Sequence, residues 1–165
     1  METLNIALFI DVENYKEPQH LFGQFSNGLS TYGRVTNKIA IGGWGHNKHL
    51  ENWKPICSEK NIEMLGYNGY RGKNAADRAI IAEATKMIKS ETINAVAIYS
   101  RDTGFAIAFA ALKVIGAKLI VPKMGNEFIP DADFYINIDR KKLIGTEPKT
   151  ELGFKLFKAM PNLFI

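Results

Sequence analysis

One cysteine, Cys57, and three histidines are all this 165-residue chain offers as thiolate or imidazole metal ligands. A single thiol cannot form an internal disulfide, which suits a reducing cytoplasm. No histidine stands beside it, and WKPICSEKNI reads as the end of a helix, so a buried structural thiol is expected. His46 and His49 are three apart, but no further His or Cys supplies a tetrahedral zinc set. No apolar run approaches the ~20 residues of a membrane-spanning helix, so no membrane partner is expected. The opening METLNIALFIDVEN has neither the basic segment nor the cleavage site of a secretory signal, and Asp11 interrupts its apolar run. DVENYKEP contains no glycine, which argues against the glycine-rich phosphate turn of a nucleotide-cofactor fold. Internal repeats and low-complexity tracts are missing too. Nor is either charge in large excess: the net is +4, which permits a polyanionic partner without requiring one.

What the chain does have is enough apolar material for a core. Hydrophobic residues make up 46% and charged ones 23%, spread throughout, as in one soluble domain. LNIALFI (4–10) is a short continuous apolar run, the pattern of a strand buried on both faces. VTNKIAIGG (35–43), IEMLGYN (62–68), NAVAIYS (94–100) and AKLIVPK (117–123) read as further strands, and FYINI (134–138) as a short sixth. Helical stretches lie between them: 18–32 starting at Pro18, 47–60 with Leu50, Trp53, Ile56 and Cys57 on one side, and 104–116 stopped by Gly116. Pro55 should bend the second of these or end it early. The clearest helix is NAADRAIIAEATKMIKS (74–90), where Ala76, Ile80, Ala84, Met87 and Ile88 recur at helical spacing and Asn74 is placed as N-cap. Strands alternating with helices imply a parallel α/β sheet covered on two sides, over residues 1–139. RKKLIGTEPKT (140–150) reads as a polar linker, and 151–165 as a short helix docked on the same domain or the remnant of a longer tail.

In open parallel sheets, sites gather outside the carboxyl ends of the strands. Asp11 follows the first strand and Asp102 the fourth, so both emerge at one edge. The loop after the fifth strand, with Asp131 and Asp133, is expected there as well. Asp77 falls in the first turn of the main helix, which begins at that edge. Carboxylates brought together need a counter-charge, and an oxygen-only set selects a hard cation, Mg²⁺ or Mn²⁺. Asp11 would bind it, while neutral Asn14 would hold a water or a phosphate oxygen. Each residue alone has a plainer use. An Asp after a strand turns the chain or caps a helix, Asp77 suits the helix macrodipole, and Glu13 reads as a solvent-exposed side chain. Convergence is what no single capping argument explains.

ALFIDVENY, RGKNAADRAIIAEA, IYSRDTGFAIAFAALKVIGAKLIV and IPDADFYINI stand in the order and spacing of the NYN domain, a branch of the PIN-like ribonucleases. The chain resembles that family over about residues 5–138. The resemblance implies a Rossmann-like three-layer sandwich with a mainly parallel central sheet of five to six strands. It also implies a divalent-metal-dependent site hydrolysing RNA phosphodiester bonds. It points to Asp11, Asn14, Asp77 and Asp102 as catalytic, and to Asp11, Asp77, Asp102 and, at the periphery, Asp133 as holding Mg²⁺ or Mn²⁺. Lys73 would meet a substrate phosphate or hold its loop. Arg71, Arg78 and Arg101 flank the same rim and would grip the RNA backbone. Tyr70, with Tyr67, would stack bases of single-stranded RNA. One position departs from the family: its D-x-D-F becomes Asp102-Thr103-Gly104-Phe105, so Gly104 removes a carboxylate while Arg101 adds positive charge. The alternative is therefore a weakened domain that binds RNA or protein without cutting.

Other phosphate chemistries fit less well. A phosphatase with an aspartyl nucleophile needs D-x-D after the first strand, where position 13 is Glu. A phospho-receiver needs an Asp after the third strand, where Tyr67 and Asn68 stand. An exposed apolar edge would support a homodimer.

Overall fold

The computed structural model describes residues 2–14, 19–45, 47–67, 69–100, 106–123 and 132–139. Its centre is β1 (Leu4–Asp11), buried from Ile6 onward. Ile6, Leu8 and Ile10 enter one core while Ala7 and Phe9 enter the other. A strand hidden on both faces belongs in the middle of a sheet covered on two sides. β2 (Gly33–Ile41) and β4 (Ala95–Tyr99) flank it, and β3 (Glu63–Leu65), β5 (Lys118–Lys123) and β6 (Phe134–Asn137) complete the order β3-β2-β1-β4-β5-β6. All of these pairings are parallel, where the sequence reading has a mainly parallel sheet.

Among the described residues, two helices cover each face. α1 (Gln19–Leu29) and α2 (Trp53–Glu59) close one core, in which Phe22 meets Trp53 and Tyr99 edge-on with ring centroids 5.7 and 5.4 Å apart. α3 (Ala75–Lys89) and α4 (Ala106–Val114) close the other. Ala76, Ala79 and Ala84 give α3 a face of small side chains, which lets it lie close to the sheet.

The element boundaries differ from expectation for local reasons. The helix foreseen over 47–60 is a 3₁₀ turn, Lys48–Asn52, followed by α2. Pro55 lies in the first turn of α2, where its missing N–H forfeits no helical bond, so it neither bends nor ends the helix. β3 is three residues long because β2 has ended beside it; the Leu65 carbonyl then accepts the Gly42 N–H at 3.1 Å and the Trp44 indole N–H at 2.9 Å. Asn74 precedes α3 in the left-handed region (φ 66°) with no capping bond from its side chain among the described residues, so its expected capping role is corrected. Gly116, at φ 92°, ends the α4 segment as expected, with its N–H on the Lys113 carbonyl and that of Ala117 on Leu112. Cys57 is buried in the core, and burial pushes its thiol up to about 11. The segment 140–165 lies outside the described residues.

Candidate active site

The strand order reverses between β1 and β4: the chain leaves β1 toward β2 on one side and leaves β4 toward β5 on the other. Such a switch point opens a crevice beyond the carboxyl ends of the two central strands. Ile10 pairs with Tyr99, so the next residue of each strand, Asp11 and Ser100, meets just past the ladder. The Ser100 hydroxyl donates to Asp11 Oδ2 at 2.9 Å, and both side chains are buried, Asp11 completely. Burying a carboxylate costs several kcal/mol unless hydrogen bonds or a cation compensate, so its place at this crevice is chemically meaningful.

Asp77 reaches the same edge from the other direction. α3 starts where the chain has left β3, and Asp77 occupies its first turn, 6% exposed. The helix macrodipole favours a carboxylate there. Before it, residues 69–74 form an exposed connection with Gly69, Gly72 and Asn74 at positive φ. An open groove of about 520 Å³ runs along this connection, lined by Glu13, Tyr67, Tyr70, Arg71, Lys73 and Asp77 among others. Arg71, Lys73 and Tyr70 are exposed on it, and Arg78 is exposed one residue beyond Asp77. Acidic groups inside and basic ones at the lip form the charge layout sought at this edge.

Glu13 is the residue that sequence reasoning missed. Expected in solvent, it is half-buried, and its Oε1 accepts the Asn47 side-chain amide at 2.7 Å and the Gly43 N–H at 3.3 Å. The Tyr67 hydroxyl donates to the same carboxylate. Burial first, then that hydrogen bond and the charges of Glu13 and Asp11, raise the phenol far above its ordinary range against an opposing Gly43 N–H. Asp11 is thus electrostatically coupled to Tyr67, a wall of the groove that Asp77 also lines. Tyr67 also packs on the α3–α4 core, which leaves Tyr70 as the exposed ring. The Gly42-Gly43 pair was the available trace: a Cβ at Gly42 would come within 2.5 Å of Val12 Cγ2, so the turn after β1 packs directly on the turn after β2.

Asp133 is not at this edge. β6 runs parallel to β5, so the chain has crossed the sheet before β6 begins, and Asp133 sits at the amino end. Its Oδ2 accepts the Leu119 N–H at 2.9 Å, and its Oδ1 lies 4.0 Å from Lys113 Nζ and 3.9 Å from Lys118 Nζ. This fastens β6 to β5 and corrects the expectation of a peripheral metal ligand. Arg101, Asp102, Gly104 and Asp131 lie outside the described residues, as does the side chain of Asn14.

Among the described residues no group of three or more His, Cys, Asp or Glu side chains gathers as a metal cage. Asp11 and Asp77 remain: two buried, oxygen-only donors at one edge. Such a pair fits a hard divalent ion that keeps several of its waters, and would suit zinc poorly. No helix among the described residues is long and apolar enough to cross a membrane.

Fold and site together define a Rossmann-like α/β domain with carboxylates at its switch point. The NYN domain model matches residues 5–139, and the chain belongs to that family, within the PIN-like nuclease superfamily, whose nucleases generally use divalent metals. A crystal structure of a protein of unknown function from Vibrio parahaemolyticus is similar in fold, with a TM-score of 0.62 at 18% identity over 84% of this chain and 94% of that one. No curated protein matches the chain.

Proposed function

We propose that this NYN domain is a divalent-metal-dependent ribonuclease hydrolysing phosphodiester bonds of single-stranded RNA. The observation that carries the reading is a fully buried carboxylate, Asp11, at the switch point, with Asp77 buried at the same edge. Asp11 and Asp77, with Asp102, would hold Mg²⁺ or Mn²⁺. When bound, such an ion lowers the pKa of water and neutralises charge on the phosphate oxygens. The chain supplies the rest. Ser100 keeps Asp11 oriented through its hydrogen bond. Asn14 would position the attacking water or a phosphate oxygen. Arg71 and Lys73 at the lip of the groove, with Arg78 and Arg101, would neutralise and align the RNA backbone for in-line displacement. Tyr70 would stack an unpaired base, which favours single strands. A reducing, cytoplasmic setting suits the lone buried thiol.

The test is cleavage of end-labelled single-stranded RNA by the purified chain in Mn²⁺ or Mg²⁺. Asp77→Asn is expected to lower the rate at least ~100-fold, as removal of a metal-holding carboxylate should. Undiminished cleavage by that variant would sink the proposal. A second reading, binding without cutting, is favoured by Gly104, which stands where the family carries Asp. Its signature would be an inactive wild type that gains activity in Gly104→Asp.

A further inference from the structure

Residues 69–74 carry Tyr70, Arg71 and Lys73, and every one of the six is exposed, so burial does not hold this stretch in place. Its fixed point on the β3 side is Tyr67, whose carbonyl accepts the Tyr70 N–H at 3.0 Å and whose hydroxyl is bound to Glu13. Glu13 follows β1; Gly43 and Asn47 follow β2; Tyr67 follows β3. One carboxylate therefore ties together three successive turns at the carboxyl edge. An ionised carboxylate has about four acceptor positions, and donors from three residues already occupy it. Little capacity is left for a cation or for the N–H of a base.

We propose that Glu13 is a positioning residue, a clip that holds the exposed 69–74 stretch against the turns after β1 and β2. Tyr70, Arg71, Lys73 and Asp77 then face RNA as one preformed surface. The clip acts through Tyr67 and touches neither substrate nor metal. The proposal rests on the ribonuclease reading for its consequence, though not for its geometry.

The experiment compares Glu13→Gln, Tyr67→Phe and the double variant, as full chains, by steady-state cleavage of single-stranded RNA in Mn²⁺ and by amide hydrogen exchange without metal. Loosening a binding surface lowers substrate affinity and spares chemistry, so each single variant should raise KM about tenfold with kcat within about threefold. Because the two residues act as one unit, the double variant should be no worse than the poorer single one. Amides of residues 70–75 should exchange faster in all three. A fall in kcat at unchanged KM would put Glu13 at the reacting atoms, and a higher Mn²⁺ concentration for half-maximal activity in Glu13→Gln alone would make it a ligand; either overturns the clip. So does unchanged exchange. If the wild type cleaves no RNA, the ribonuclease reading falls by itself, and the exchange of residues 70–75 still decides whether the clip exists.

Discussion

Asp11→Asn preserves the outline of the side chain and removes its charge, so it separates what this carboxylate does for folding from what it does for chemistry. The wild-type group is fully buried and accepts the Ser100 hydroxyl at 2.9 Å. An asparagine oxygen can accept the Ser100 hydroxyl, so of that bond the charge-assisted part is lost, about 1 kcal/mol. The cost of holding an ionised group in the interior, several kcal/mol, is relieved at the same time. The second effect is the larger. In EDTA the variant should be more stable than the wild type by about 1–2 kcal/mol, a rise in Tm of roughly 2–8 °C for a domain of this size. Saturating Mn²⁺ should reverse the order: a site filled at a hundred times its Kd adds about 2.7 kcal/mol to the wild type and little to the variant. Thermal denaturation followed by circular dichroism, with and without Mn²⁺, reads both changes, and RNA cleavage should be lost in parallel. An asparagine protein that melts below wild type in EDTA, or gains as much from Mn²⁺, would refute the reasoning.

The lip of the groove makes a separate claim: Arg71→Ala and Lys73→Ala should each weaken single-stranded RNA binding and flatten the log–log salt dependence by about 0.7, and an unaltered slope in either would remove that residue from the phosphate contacts. Cys57, with its thiol raised from 9.0 to about 11 by burial, should ignore a thiol reagent at pH 8 until the protein unfolds. Since the folded state holds that proton more tightly, the thiol's contribution to stability should be unchanged below pH 9 and fall as pH rises from there through about 11, and Cys57→Ala should make the alkaline loss smaller by that part. Rapid labelling of the native protein would contradict the burial.

Much of the sheet was readable because burial on both faces leaves a continuous apolar run, which is what LNIALFI and NAVAIYS show. The edge at which Asp11 and Asp77 both lie followed from chain direction alone. The same argument misplaced Asp133, because a loop between parallel strands starts at one edge and finishes at the other. FYIN, beginning at the very next residue, held the correcting signal. Glu13 was out of reach for a different reason. Its partners Gly43 and Asn47 lie 30 and 34 positions along the chain, so nothing local distinguishes it from a solvated glutamate. Asn74 followed the cap rule by position, yet the positive-φ connection through Gly72 brings the chain into α3 with that residue left-handed.

The two tryptophans occupy very different surroundings. Trp53 is 4% exposed and set edge-on to Phe22, whereas Trp44 is half-buried with its indole N–H on the Leu65 carbonyl, at the root of the turn that leads to Tyr67. The unlabelled protein therefore emits from two distinct stations, one deep in the interior and one beside the rim. A small aqueous quencher would dim the rim emitter first, so arrival of a ligand and collapse of the interior would register as separate optical events.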